Sequence, residues 1–134
     1  MDILTALGIG MAIGMLAGTT GTHGSARGRM TLLAAVIGLV AGYLLDDALG
    51  AALALVGAAG ACLVVSDLVF GANRREGSSG GALGFIVGLA ALIVVPLALF
   101  VPPAAIVVAL ALAWLGVARH RRGQRKHAGL RVLR

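Results

Sequence analysis

Five apolar segments divide the chain, at positions 3–18, 30–45, 48–70, 82–101 and 104–118. Polar residues are concentrated in the gaps between them and in the stretch after Ala118, and the single charge inside a segment is Asp67. Uninterrupted apolar runs of this kind read as membrane-crossing helices. The third and fourth are long enough to cross. The first, second and fifth hold 16, 16 and 15 residues. At about 1.5 Å per residue these cover only ~22–24 Å of a hydrocarbon core about 30 Å thick. The first can lengthen into Thr19, Thr20 and Thr22, and the second into its flanking residues. The fifth can lengthen into the basic residues that follow, whose long side chains snorkel to water. The pattern thus predicts an all-α, multi-pass transmembrane bundle of five spans. The competing reading is four spans, with one short segment re-entrant or interfacial.

Composition leaves little room for a soluble protein. The 134 residues are 60% hydrophobic and 12% charged, with a mean hydropathy of +1.03. A small globule keeps much of its chain at the surface and could not hide that much apolar area from water. The net charge of +6 would point to nucleic acid in a soluble domain. Here the basic residues fall between and after the apolar runs, which points to anionic lipid headgroups and makes nucleic acid a weak choice. No basic region precedes the first segment, whose nearest charge is Asp2, so it reads as retained rather than as a signal peptide. Ten arginines against one lysine, with abundant alanine and glycine, suggest a GC-rich prokaryotic source.

Charge placement favours five spans. Arg27 and Arg29 lie in the first connection, Arg74 and Arg75 in the third, and the remaining seven basic residues after Ala118. Asp46–Asp47 and Pro102–Pro103 mark the second and fourth connections. Cytoplasmic connections carry the excess of Lys and Arg. One arrangement satisfies this: N-terminus outside, both acidic and proline turns outside, and C-terminus cytoplasmic in the cell membrane. Tyr43 and Phe100 then fall near the outer boundary, and Phe70, Phe85 and Trp114 near the inner one. The organisation is one transmembrane domain, 1–118, followed by a basic cytoplasmic tail, 119–134, that lies on lipid or is disordered.

Small residues recur every four positions. Gly10, Gly14 and Gly18 follow Ala6; Gly38 and Gly42 follow Ala34; Gly84 and Gly88 follow Gly80. Residues four apart share a helix face. Membrane helices associate through close backbone packing on such faces. A stripe left over after the bundle packs, most readily that of the first span, could join copies in a homo-oligomer. Pro96 removes a hydrogen bond inside the fourth span and is expected to kink it. Pro102–Pro103 end that helix and force a turn. VIGLVAGYLL (36–45) aligns with IVGLAALIVV (86–95), a faint repeat in which spans two and three correspond to four and five.

The polar stretch GTTGTHGSARGR (18–29) resembles a phosphate-binding loop. It lacks the lysine, the spacing and the preceding strand of a nucleotide loop. What survives is a turn whose amides, with Arg27 and Arg29, can meet a lipid phosphate. The plainer reading, a hydrated connector, carries more weight. Asp67 is a possible ion or proton site, since acids within membranes are costly and tend to be functional. The plainer alternative is that it reaches headgroup water or pairs with Arg74 or Arg75. Asp46 and Asp47 are expected to cap the third helix. Cys62 reads as a small buried side chain with no disulfide partner. His23, His120 and His127 have no partner at metal-ligand spacing. No metal, cofactor or catalytic residue is read from the chain.

These readings converge on a non-enzymatic membrane protein that supports or forms a transport or permeation unit. Its partners would be membrane lipids and either further copies or another membrane protein. Two alternatives differ in class. One is a holin-like lesion former, which this short apolar chain with its charged tail resembles in general plan without a specific motif. The other is a lipid-headgroup-binding protein.

Overall fold

The computed structural model describes residues 3–20, 24–76 and 81–130. Five helices account for its regular structure: α1 (Ile3–Gly18), α2 (Ser25–Leu45), α3 (Ala48–Glu76), α4 (Gly81–Phe100) and α5 (Ala104–Leu130). There is no strand among the described residues. Helices α2 to α5 are each long and apolar enough to cross a membrane, and α1, at 16 residues, is the short one. The molecule is an all-α, multi-pass membrane bundle.

Three helices outrun their apolar segments. α2 starts at Ser25 rather than Met30 and takes in Arg27 and Arg29. α3 passes Phe70 and takes in Arg74 and Arg75. α5 passes Ala118 and continues to Leu130, so the expected boundary between membrane domain and tail falls inside one helix. Arginine is a good helix former, and its side chain can reach headgroup water while the backbone keeps its helical bonds.

The helices alternate in direction. Gly10, Gly14 and Gly18 of α1 meet Ala54, Ala58 and Val65 of α3 in ascending order, so α1 and α3 are parallel. Gly42 and Gly38 of α2 meet Ala51 and Ala58, so α2 is antiparallel to α3. Gly8 of α1 faces Ala98 and Gly84 faces Thr19, so α4 runs against α1. Gly116 and Arg119 of α5 face Val64 and Gly71 of α3. Asp46–Asp47 and Pro102–Pro103 therefore share one end of the bundle. Arg27, Arg29, Arg74, Arg75 and Arg119 share the other.

The interior is built mainly from small side chains, together with Met11 and Met15 of α1. The largest fully buried ones are Val65, Val69, Cys62 and Ser66. Large apolar residues point outward, among them Leu32, Val36, Leu44, Phe85, Ile93, Leu110 and Trp114. An apolar exterior around an alanine and glycine interior is the reverse of a soluble core and needs lipid outside. Tyr43 and Phe100 are exposed toward the acidic end, and Phe85 and Trp114 toward the basic end.

α1 resolves its shortness by burial. It touches all four other helices, and nine of its residues between Thr5 and Gly18 are buried. Thr19 Oγ1 donates to the Leu16 carbonyl at 2.6 Å and Thr20 Oγ1 to that of Ala17 at 2.8 Å. These hydroxyls satisfy carbonyls that a helix end otherwise leaves bare, a costly state near hydrocarbon. The glycine stripe of α1 is consumed within the chain and is not left over for a second copy. A methyl at Gly10 or Gly14 would occupy the space of the Ala54 or Ala58 backbone. Gly88 departs from the packing expectation, because a methyl there would meet nothing within 4 Å. Gly80 lies outside the described residues.

The acidic turn closes with the Asp46 amide donating to the Gly42 carbonyl at 3.0 Å. Asp47 occupies the cap of α3, its carbonyl accepting from the Ala51 amide at 3.1 Å. At the other turn, Pro102 and Pro103 carbonyls accept the amides of Ala105 and Ile106, both at 3.1 Å. α4 is assigned as one helix through Pro96. The faint repeat does not become a structural one. α2 and α3 lock together through Gly38 and Gly42, whereas the position aligned with Gly42 is Leu92, 60% exposed. Gly88, aligned with Gly38, likewise has nothing within 4 Å of an added methyl.

Gly14→Ala is expected to lower stability in detergent by about 1–3 kcal/mol, the cost of overpacking a filled interior. Gly88→Ala, with open space before it, should shift stability by less than ~0.5 kcal/mol. Unfolding followed by circular dichroism in mixed detergent measures both. Equal stabilities would show that close approach of α1 to α3 does not hold the bundle.

Candidate functional site

Two residues that the sequence presents as separate candidates meet in space. Arg27, in the first turns of α2, forks onto Asp67 of α3. Its Nη1 lies 2.8 Å from Oδ1, and its Nη2 donates to Oδ2 at 3.0 Å. Nη2 also reaches the Leu63 carbonyl at 3.4 Å. A bidentate arginine–carboxylate pair is the stronger and more directional form of ion pair. The antiparallel register of α2 and α3 produces it, because the contacts at Gly42 and Gly38 carry Arg27 to the level of Asp67. Thr31, one turn further along α2, donates to the Arg27 carbonyl at 2.9 Å. The same hydroxyl lies 3.9 Å from buried Cys62 Sγ.

The depth of the pair limits its chemistry. Asp67 is 19 residues beyond Ala48, the first residue of α3. At about 1.5 Å per residue that is ~28 Å, near the far edge of a hydrocarbon core about 30 Å thick. Both side chains are partly open, 27% for Arg27 and 47% for Asp67. Asp67 is thus a paired carboxylate at the membrane edge rather than an isolated acid at the midplane. Its partner is Arg27 and not the expected Arg74 or Arg75. Arg74 lies over the Phe70 ring, 5.8 Å from its centroid.

Arg27 and Arg29 do not converge on a shared phosphate. Two helical positions place them on nearly opposite faces, with Arg27 engaged inward and Arg29 exposed. In the stretch 18–29, Thr19 and Thr20 finish α1, and Gly24, at φ +70°, precedes α2. Thr22 and His23 lie outside the described residues. His120 shares a 3.1 Å contact between its Nε2 and Nε2 of Gln124 on the exposed face of α5. No group of three His, Cys, Asp or Glu converges among the described residues.

A groove of about 1150 Å³ opens between the basic halves of α3 and α5. Leu63, Leu68 and Trp114 line it toward the membrane, and Arg75, Arg119 and Arg122 toward the basic end. Arg119 spans it and rests against Gly71, where an added methyl would meet Nη2 at 2.5 Å. The sequence gives little warning of this contact, since Gly71 belongs to no four-residue stripe. Gly8, which admits Ala98 of α4, is off the α1 stripe for the same reason.

No protein-family model, curated protein or solved structure matches this chain.

Replacing Arg27 with Gln and Asp67 with Asn, singly and together, should reveal a coupling of about 0.5–1 kcal/mol, the scale of a partly exposed pair. Chemical unfolding of the four proteins in one detergent gives the value. Additive effects of the two substitutions would reduce the contact to coincidence.

Proposed function

We propose that this chain is a small non-enzymatic membrane subunit that supports or forms a transport or permeation unit together with other chains. The observation that carries this reading is the filled centre of the bundle. Ala6, Met11 and Ala12 of α1 are each 2% exposed or less, enclosed by the neighbouring helices. A solute route therefore runs between chains rather than down the axis of one.

Two features support an assembly. α5 is the least buried helix, with Ala105 its single buried residue among those described and Val108, Ala109 and Leu112 partly buried against the core. α4 keeps an uncovered small-residue patch, where Gly84 and Gly88 with Leu16, Leu89 and Leu92 border a shallow groove of about 310 Å³. Another membrane helix can approach closely at such a patch. It replaces the α1 stripe as the surface for a further copy or partner. The gathering of arginines at one end favours a cytoplasmic placement of that end in a prokaryotic cell membrane. Arg27 and Asp67 would then order the inner mouth of the assembly, with anionic lipid around them.

The mass of the complex tests this, measured in mild detergent and in native membrane extract. The expected result is a discrete assembly larger than the 13.3 kDa chain, made of further copies or of a second polypeptide. A lone chain in both preparations would overturn the reading.

A further inference from the structure

We propose that the groove between α3 and α5 is a binding site for an anionic phospholipid of the leaflet at the basic end of the bundle. The lining is sorted along the helix axes. Leu63, Leu68 and Trp114 form the apolar part. Arg75, Arg119 and Arg122 form the part beyond it. Trp114 and Arg122 are eight residues apart on α5, a rise of about 12 Å. Gly116 of α5 lies level with Val64 of α3, so that rise takes the wall from within the hydrocarbon to the edge where the headgroups begin.

Charge decides the class of occupant. Asp67 is the sole carboxylate among the lining residues, and Arg27 already neutralises it at 2.8 Å. Three arginines thus face the groove without a matching protein anion in its lining. Arginine forks match phosphate oxygens in pairs. The occupant that meets both halves of the wall carries an anionic phosphate at one end and an acyl chain at the other. The volume also exceeds the ~300–1,000 Å³ usual for pockets that hold small metabolites, which favours a headgroup with the upper part of its chains.

Arg119 positions the site. It lies across the groove because position 71 has no side chain. Gly71→Ala therefore displaces the guanidinium without changing any charge, and it separates a built site from a basic surface. This inference does not depend on the proposed role in transport.

Trp114 is the chain's one tryptophan and lines the groove, so it reports occupancy directly. The full chain is reconstituted into phosphatidylcholine vesicles containing a minor share of brominated phosphatidylglycerol. A parallel sample contains brominated phosphatidylcholine at the same share. We expect phosphatidylglycerol to quench Trp114 at several-fold lower mole fraction than phosphatidylcholine. Arg119→Gln and Arg122→Gln should each reduce that preference by about fivefold, the scale of one basic residue at an anionic surface. Gly71→Ala should reduce it by less than Arg119→Gln does, while Arg29→Gln and Arg74→Gln, outside the lining, should keep it. Equal quenching by the two lipids overturns the proposal. So does an equal loss from Arg29→Gln, which would make the effect general surface charge. Displacement by inorganic phosphate at matched ionic strength would assign the arginines to a free anion and also overturn it. Absence of quenching by either lipid would mean that another protein surface covers the groove, with the same consequence.

Discussion

The close approach of α1 to α3 sets the rest of the architecture. In lipid, apolar side chains gain little by meeting one another, so helices hold together where their backbones come near enough for dense contact. Gly10, Gly14 and Gly18 allow that approach along most of α1, against Ala54, Ala58 and Val65. Once α1 lies in that trough, the other face of the same α3 alanines receives Gly38 and Gly42 of α2. Ala54 and Ala58 thus serve two neighbours. The third contact follows from the second face of α1, where Gly8 admits Ala98 of α4. A filled centre and a lipid-facing shell of leucine, valine and isoleucine are consequences of this one seam.

Much of this was legible in the sequence because it is written in local chemistry. Apolar run length gives the helices, Asp46–Asp47 and Pro102–Pro103 give the turns, and four-residue spacing gives the seams of α1 and α2. Helix ends were less legible at the basic side, since hydropathy stops at the first arginine while the helix does not. Partnership was least legible. Whether a stripe is used depends on what stands opposite, so Gly14 and Gly88 look alike in sequence yet one is filled and the other faces open space. The pairing of Arg27 with Asp67 spans forty positions and emerges only from the register of α2 on α3. Of the two plainer readings of Asp67, pairing with Arg74 or Arg75 counted residues along one helix and ignored the neighbouring one that supplies Arg27. Gly71 carried no signal at all, because its use is set by Arg119, a distant residue on α5.

The seam also fixes where function can reside. Among the described residues the buried polar side chains are Thr5 and Ser66. Ser66 donates to the Leu63 carbonyl at 3.1 Å. The charged chemistry gathers where the helices leave the hydrocarbon, at Arg27 and Asp67 and along the facing sides of α3 and α5. These elements differ in how firmly they are held. Arg27 and Asp67 sit on the two helices locked by Gly38 and Gly42, so their geometry is inherited from the core. Arg119 and Arg122 sit on α5, whose core contacts, Ala105, Val108, Ala109 and Leu112, lie in its other half. The groove therefore has one wall on α3, the helix that carries the seam, and one on α5, the helix with the fewest buried residues among those described.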